Sequence, residues 1–506
     1  MKRTSWLALA AGLGIFFPYL GLSLSTQAAD LPAVVATTPS AGDPDIQVLP
    51  IDLPTALRLV NASNPTIALA RERVQEEYAR LRQAEVLWLP NLDAGPAYQR
   101  HDGQIQSSAG NVFTTSKSNV FAGGGAAMRF ETADALFIPL IERRLVDAAA
   151  AASRTVTDDV QLSVALTYLD LLQVYGALAV NADALARAEL MRDRAASTAK
   201  TGLSRSTADT TRARAEVARL RTERIDLEGR AAEVSARLAQ LLLLQPSVDL
   251  RPADPAVIPI TLVPTEISLD ELIATGLLNR PELAESRALV AAALTRWRQA
   301  RVSPFVPRVE ISYFAGGFGG GRNESISEFD GRGDGLAQAI WELRNLGLGD
   351  VARVRERRAQ LNQANYHVIE VQAEVAAQIS AAAKLARSRA RTLADAQQAV
   401  REALETWRRL ELVSFGQFNP KEQNLLNTLE PLIAEQTLSS ARMQYLAEVI
   451  EYNKAQFRLY AYLGRPPQEA LPESTSQPVE VPVVSPKFEP ATTAPKPAPA
   501  GIPPKK

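Results

Sequence analysis

One sequence pattern occurs twice in this chain. Residues 64–98 read NPTIALARERVQEEYARLRQAEVLWLPNLDAGPAY, and residues 280–314 read RPELAESRALVAAALTRWRQARVSPFVPRVEISYF. When the two are aligned, Pro65 falls on Pro281, and the triplet Arg-Gln-Ala at 82–84 falls on an identical triplet. Similarity at this spacing predicts two copies of one structural unit within the chain.

Each copy is predicted to begin with two helices. The first is short, at 54–60 (PTALRLV) or 269–278 (LDELIATGLL), and a proline then sits in the first turn of the second. Proline is favoured there because its missing N–H has no helical partner in any case. A further proline, Pro90 or Pro307, is predicted to end the second helix.

Two strand-like runs follow in each copy. A Gly-, Ser- and Asn-rich segment separates them, and we expect a loop too long and polar for a tight turn. We interpret the glycine-rich runs at 122–125 and 315–321 as parts of strands, with loops as the alternative. The predicted strands cover residues 92–100, 119–130, 309–314 and 336–343.

Two very long helices close each copy. No proline interrupts residues 140–245 or 308–419, and apolar residues recur by steps of four and three. That spacing specifies coiled-coil packing, and helices of about sixty residues are on the order of 90 Å long. A second apolar stripe on the outgoing helix of the first copy predicts packing on two sides, as in a wall. This stripe consists of Leu162, Leu166 and Leu169.

Helix reversals are predicted at two glycines, Gly202 and Gly416, because glycine adopts the left-handed conformation that ends a helix. The returning helices then begin with capping boxes, at Ser206 with Asp209 and at Asn419 with Glu422. Each reversal makes a helical hairpin tip that exposes an apolar side chain, from Leu203 or Phe418, and we expect a partner to bind there.

The ends of the chain differ from its body. Lys2 and Arg3 precede an apolar run, which predicts a cleaved export signal, and the proline-rich end is predicted to be an extended tail. No later segment reaches the roughly 18 uninterrupted apolar residues of a membrane helix, so an exported chain of this kind would cross a membrane as a β-barrel. The predicted divisions are 1–29 signal, 30–50 polar segment, 51–250 first repeat, 251–267 linker, 268–464 second repeat and 465–506 tail.

Composition argues against several function classes. The formal net charge of −1 leaves no excess of cations for nucleic acid, and the chain contains no cysteine for thiol chemistry or thiolate metal sites. The two histidines, His101 in a predicted surface loop and His367 on a predicted helix, have no nearby nucleophile pattern. We therefore expect no enzyme activity, no cofactor, no metal site and no nucleic-acid partner.

Over roughly residues 50–464 the chain resembles the TolC-like outer membrane efflux proteins. The resemblance rests on the repeated Arg-Gln-Ala segment with its proline and strand, the run ADTTRARAEVARL after the first tip, WELRNLGLGD from Trp341, and the closing Tyr-Leu-Gly at 462–464. The tips Thr201-Gly202-Leu203 and Phe415-Gly416-Gln417 carry it too. The duplicated order of helix, strand pair and long helix pair is its strongest element.

This resemblance implies a mainly helical fold with a small β part: long antiparallel coiled-coil helices forming a periplasmic tunnel wall, and four strands per chain in a trimeric outer-membrane barrel. It implies a homotrimer in outer membrane lipid that works with a periplasmic adaptor (membrane fusion) protein and an inner-membrane transporter, in an efflux pump or a type I secretion system. The tips would dock the adaptor through Thr201, Gly202, Leu203, Ser204, Phe415, Gly416, Gln417 and Phe418.

The same resemblance places a gated periplasmic aperture beyond the tips, near Asp209, Glu422, Asn424 and Asn427. Pro431 leaves the carbonyl of Asn427 without a helical partner, so we predict a kink that narrows the tunnel there. The helix could instead begin at Pro431, or the kink could only relieve packing strain. The alternative function is a periplasmic coiled-coil scaffold or adaptor without a barrel, which would need only one helical hairpin and a Gly- and Val-rich carrier domain, whereas this chain has two predicted hairpins and two predicted strand pairs.

Overall fold

The computed structural model describes residues 48–200, 207–245, 247–254, 256–322, 325–415 and 429–470, without the side chains of 198–200, 207, 209, 411–415 and 429. The predicted signal, the proline-rich tail and most tip and aperture residues lie outside these ranges. In the described part the chain is mainly helical, with one small antiparallel sheet and one parallel strand pair.

The two short helix pairs are where the sequence predicted them. They comprise α1 (Leu53–Ser63) with α2 (Pro65–Glu85), and α5 (Leu269–Asn279) with α6 (Pro281–Val302). In each pair the second helix begins at its proline, and the side chain of Asn64 caps α2 by accepting from the Thr66 amide at 2.9 Å. Both second helices end earlier than predicted, before Pro90 and Pro307, because turns and a 3₁₀ segment at Ser303–Phe305 intervene.

Four long helices form the body of the described chain. They are α3 (Thr132–Lys200), α4 (Thr207–Leu241), α7 (Leu348–Phe415) and α8 (Leu429–Tyr462). Helix α3 packs against α2, α4, α6 and α8, as its second apolar stripe predicted. Its buried residues, such as Tyr168 and Leu171, meet Leu238 of α4 and Phe457 of α8 in the larger hydrophobic core.

A small parallel strand pair and the chain segment that follows it connect the two halves of the chain. Strand β1 (Val48–Ile51) pairs with β4 (Asp249–Pro252). The segment after β4 then lies on α8, where Asn453 and Gln456 are almost fully buried. The Ile260 amide donates to Asn453 Oδ1 at 2.7 Å, and the Val263 amide donates to Gln456 Oε1 at 2.9 Å. Side-chain amides thus satisfy backbone groups that have no strand partner.

The Tyr-Leu-Gly motif at 462–464 ends α8 against the junction of α5 and α6. Gly464 has a positive φ of 76°, and a Cβ placed on it would lie 2.7 Å from the carbonyl carbon of Asn279. Only glycine fits this left-handed turn without strain and without a clash.

The four remaining strands form one antiparallel sheet in the order β2-β3-β5-β6. They are β2 (Asn91–Gln106), β3 (Val112–Glu131), β5 (Arg308–Arg322) and β6 (Ser327–Ile340). All four predicted strands are therefore present. The glycine runs at 122–125 and 315–321 belong to strands, as predicted, but the predicted long loops are wrong, because most of the polar residues assigned to them also belong to the strands. The predicted strand 336–343 ends three residues early, at Ile340.

Candidate functional site: a sheet with two unlike faces

Register divides the side chains of the sheet into two sets. In an antiparallel sheet, residues paired directly across neighbouring strands point to the same side, and successive residues of a strand alternate. One side, the uncharged face, includes the row Leu92, Ala126, Tyr313 and Gly335. The other, the charged face, includes the row Arg129, Glu310 and Gln338.

The uncharged face carries no ionisable acid or base between the rows of Tyr98 and Phe130. Several of its larger apolar side chains are well exposed, with 83% for Leu92 and 61% for Tyr313, whereas Met128 and Phe130 are half-buried. Arg100 and Asp102 lie beyond this band toward the hairpin ends, where they pair at 2.6 Å. Between the rows of Tyr98 and Phe130, the uncharged face consists of Leu92, Ala94, Pro96, Tyr98, Val120, Ala122, Gly124, Ala126, Met128, Phe130, Val309, Ile311, Tyr313, Ala315, Gly317, Gly319, Gly331, Gly333, Gly335, Ala337 and Ala339.

The charged face carries most of the charged side chains of the sheet. Glu310 accepts from Arg129 Nε at 2.5 Å and from Gln338 Nε2 at 2.7 Å, which links three neighbouring strands. His101, predicted in a loop, lies instead in β2 on this face, paired in register with Lys117. The other charged members are Asp93, Glu131, Arg308, Arg322, Asp330, Arg332 and Asp334.

Glycines show that β3 and β5 approach most closely on the charged face. A Cβ added to Gly123, Gly125 or Gly316 would lie 2.2–2.4 Å from a carbonyl oxygen of the facing strand, closer than any real contact. On the uncharged face, a Cβ on Gly317 would meet nothing within 4 Å. Strands this close on one side only indicate a sheet that bends toward that side. The charged face is therefore concave.

Exposed aromatic and aliphatic side chains gather where the sheet meets the helices. The rings of Trp88 and Phe130 lie 5.1 Å apart. Phe305 is 79% exposed, Trp341 63% and Leu346 91%. Large rings with one polar edge are typical of a membrane–water interface.

Below the sheet, a charge network joins three long helices. Arg187 of α3 donates to Asp183 at 2.7 Å and to Glu435 of α8 at 3.1 Å, and its guanidinium lies 4.4 Å from the ring centre of Trp407 on α7. Arg442 of α8 also donates to Asp183. Burial raises the pKa of Glu435, while Arg187 opposes that shift. The network therefore links α8 to α3 near the N-terminal end of the described part of α8.

The structure places few of the predicted site residues. Asp209 belongs to α4 and Phe415 ends α7, but their side chains lie outside the described part. Thr201, Gly202, Leu203, Ser204, Gly416, Gln417, Phe418, Glu422, Asn424 and Asn427 lie outside it altogether. Pro431 is buried in the first described turn of α8, so the predicted kink stays a prediction.

Two further features of the described residues concern a metal site and a membrane helix. The described residues include no cluster of three or more histidine and acidic side chains able to hold a metal ion. Helix α3, from Thr132 to Ser197, contains one stretch long and apolar enough for a membrane helix. The stretch contains no uninterrupted apolar run of about 18 residues, so it was not predicted as a membrane helix from the sequence. Helix α3 packs against four other helices, and an apolar composition is typical of such a core helix.

Solved structures similar to this fold include outer-membrane channels. CusC, described as forming a transmembrane channel, superposes with a TM-score of 0.67 at 18% identity over 85% of this chain and 96% of its own. The outer-membrane channel OprN gives 0.66 at 18% identity over 82% and 90%. The open state of MtrE from Neisseria gonorrhoeae gives 0.63 at 16% identity over 85% and 94%.

No family model and no curated protein sequence matches the chain. The agreement therefore lies in the fold, over most of the length of both partners. The described chain has the fold of the TolC-like outer membrane factors, which confirms the resemblance predicted from the repeat. The three proteins compared are each described as channels.

Proposed function

We propose that this chain is one subunit of a trimeric outer-membrane channel, with a long periplasmic portion, that serves as the exit duct of an efflux pump or a type I secretion system. The carrying observation is the sheet with one uncharged face and one concave, charged face. Such a sheet suits a barrel wall whose outside meets lipid and whose inside meets water. The fold of CusC, OprN and MtrE supports the same conclusion.

The dimensions of the uncharged face fit a bilayer. On β3 it extends from Val120 to Phe130, which is about 33 Å of strand at roughly 3.3 Å per residue. A strand tilted by about 40° covers about 25 Å of membrane thickness over that length, the height of the apolar band in outer-membrane barrels. The exposed rings of Trp88 and Trp341 lie beyond the helical end of this band, at interface depth.

Closure requires more than one chain. Strands β2 and β6 each have one neighbour in the sheet, and an unpaired strand edge cannot face lipid, because its N–H and C=O groups would lack partners. We infer that β2 of one copy pairs with β6 of the next. Three copies give the twelve strands that the resemblance implies, and the helices continue the wall into the periplasm.

The partners follow from the same proposal. A duct of this kind receives its cargo from an inner-membrane transporter through a periplasmic adaptor, and we propose that the tips at 201–204 and 415–418 dock the adaptor. Gly202→Val and Gly416→Val should each abolish transport while leaving trimer abundance unchanged, since valine in a left-handed cap costs only about 1–2 kcal/mol. Normal transport by both variants would refute this docking site.

We also propose that the aperture lies near Asp209, Glu422, Asn424 and Asn427, and that Pro431 helps to narrow it. Pro431→Ala restores a backbone N–H and removes the ring, so α8 should straighten and single-channel conductance should rise. Unchanged conductance of an inserted variant would remove Pro431 from the closing mechanism.

The second candidate, a periplasmic scaffold without a barrel, does not explain why one face of the sheet is uncharged. Membrane fractions separated by density test the choice, followed by current recordings in planar bilayers. We expect the mature protein in the outer membrane fraction, and discrete channels from purified trimers. Recovery only from the soluble periplasm, with no channels, would favour the scaffold.

A further inference from the structure

Three phenylalanines form a patch in the middle of the charged face. Phe121 of β3 and Phe318 of β5 are direct register partners, and Phe314 lies four residues along β5. All three are partly buried, in contrast to the well-exposed Tyr313 of the uncharged face. We call Phe121, Phe314 and Phe318 the aromatic patch.

Glycines hold the rings of this patch close to the sheet. A Cβ on Gly123 would lie 2.9 Å from Cζ of Phe121, and a Cβ on Gly125 would lie 2.6 Å from Cδ1 of Phe314. Each ring therefore occupies the space above a glycine, an arrangement that covers bare backbone with an aromatic surface. The rings are thus fixed in place, with the rest of their surface open to the concave side.

Acidic side chains surround the patch. One register row runs Asp93, Gly125, Phe314 and Asp334 across the four strands, and another places Asp330 beside Phe318. The base in this zone is Arg332, which pairs with Asp334 at 2.8 Å and lies 4.9 Å from the ring centre of Phe318. Between the register row of Asp93 and the row of Asp330, three carboxylates face one guanidinium, so this zone is net negative, and Lys117 and Arg322 lie two rows beyond it toward the hairpin ends. The chain already places a cation on one ring of the patch.

We propose that the aromatic patch and its carboxylates form a weak binding site for planar aromatic cations passing through the lumen. The proposal rests on the proposed function, which makes the charged face the inside of the duct. Aromatic faces attract cations and stack with flat rings, and the carboxylates add attraction for positive charge. Each further copy of the chain adds an equivalent patch at the same depth, so a solute crossing the barrel meets several in one ring.

Block of ionic current by ethidium tests this site in the reconstituted full-length channel. Ethidium should reduce single-channel current at lower concentrations than tetramethylammonium, which has the same charge and no ring. Phe121→Leu with Phe314→Leu should raise the half-blocking ethidium concentration by about threefold or more, a factor typical of lost cation–π contacts. Asp93→Asn with Asp334→Asn should also weaken the block.

Tyr313→Leu is the matched control, because it removes an aromatic ring next to Phe314 but from the uncharged face. It should leave ethidium block unchanged. Equal block in the wild type and the double leucine variant, with normal conductance in both, would overturn the proposal. Absence of any channel in the wild type would instead overturn the proposed function.

Discussion

The sheet and the helical body differ in where they place charged side chains. The helices keep several ionised groups inside: the side chains of Glu435, Arg280 and Lys454 are only 5%, 9% and 10% exposed. Each has an opposite charge within reach, as Lys454 has Asp170 at 2.6 Å and Glu451 at 2.9 Å. The uncharged face of the sheet is exposed over several side chains, yet between the rows of Tyr98 and Phe130 it carries no charged side chain.

This difference indicates two different surroundings. A buried charge is tolerated where a partner and hydrogen bonds replace water. A face that meets hydrocarbon has neither, so it excludes charge even where its side chains are not covered by protein. Under the proposed function, exposed side chains on the uncharged face of the sheet contact lipid, whereas exposed side chains of the helical body contact water or other helices.

The largest effect is expected from the helical network. Arg187→Leu leaves Glu435 buried without its cation, which should lower the free energy of unfolding by about 3 kcal/mol or more. Denaturant midpoints of the detergent-solubilised protein measure this loss. Arg224→Leu is the control, since Arg224 and Glu228 are both about half exposed and such pairs contribute roughly 1 kcal/mol at most. Equal losses in the two variants would mean that the network is not buried in the assembled protein.

The next effect compares two alanines of one strand. Ala94 lies on the uncharged face, in the row of Gly124, and Ala97 lies on the charged face, opposite Phe121. Ala94→Arg should cost about 2–4 kcal/mol of stability in lipid, and Ala97→Arg far less. Refolding into vesicles at graded denaturant concentrations measures both. A cost that is the same at the two positions would remove the distinction between the faces.

A smaller effect comes from a charge that the helical body does not compensate. Burial, then the nearby Glu282 and Asp159, raise the pKa of Asp158 from its ordinary 3.8 to about 6. The folded state therefore holds this proton more tightly, and the stability it contributes is lost as pH rises from about 4 to about 6. Asp158→Asn should raise the free energy of unfolding by about 2 kcal/mol at pH 7.5 and leave it unchanged near pH 3.5. A gain that persists at the lower pH would contradict this assignment.

The helices could be predicted from the sequence because their signals are local. Pro65 and Pro281 mark helix starts, and the long apolar periodicity defines α3 and α7. The strands were harder to delimit, since glycine and serine favour loops locally and these strands are specified by pairing across the sheet. His101 was misplaced in a loop for this reason.

The two faces of the sheet and the charge network of the helices could be identified only from the structure. Alternation along β3 is visible in its sequence, but only register shows that its uncharged side continues across β5 and β6. Arg187 and Glu435 are 248 residues apart, and heptad spacing does not specify such a pair. The aromatic patch was missed because its phenylalanines look like ordinary strand residues until glycines and acids are seen beside them.

The proposed channel requires that β3 crosses lipid with one face outward, and because the sequence contains no cysteine, single cysteines can test this directly. Single cysteines at Val120, Ala122 and Ala126, and at Asn119, Phe121 and Ala127, can each carry a polarity-sensitive fluorophore in reconstituted vesicles. We predict that the first three are quenched by lipid-borne quenchers and the second three by water-soluble ones. Quenching of all six from water alone would contradict the claim that this sheet spans a membrane.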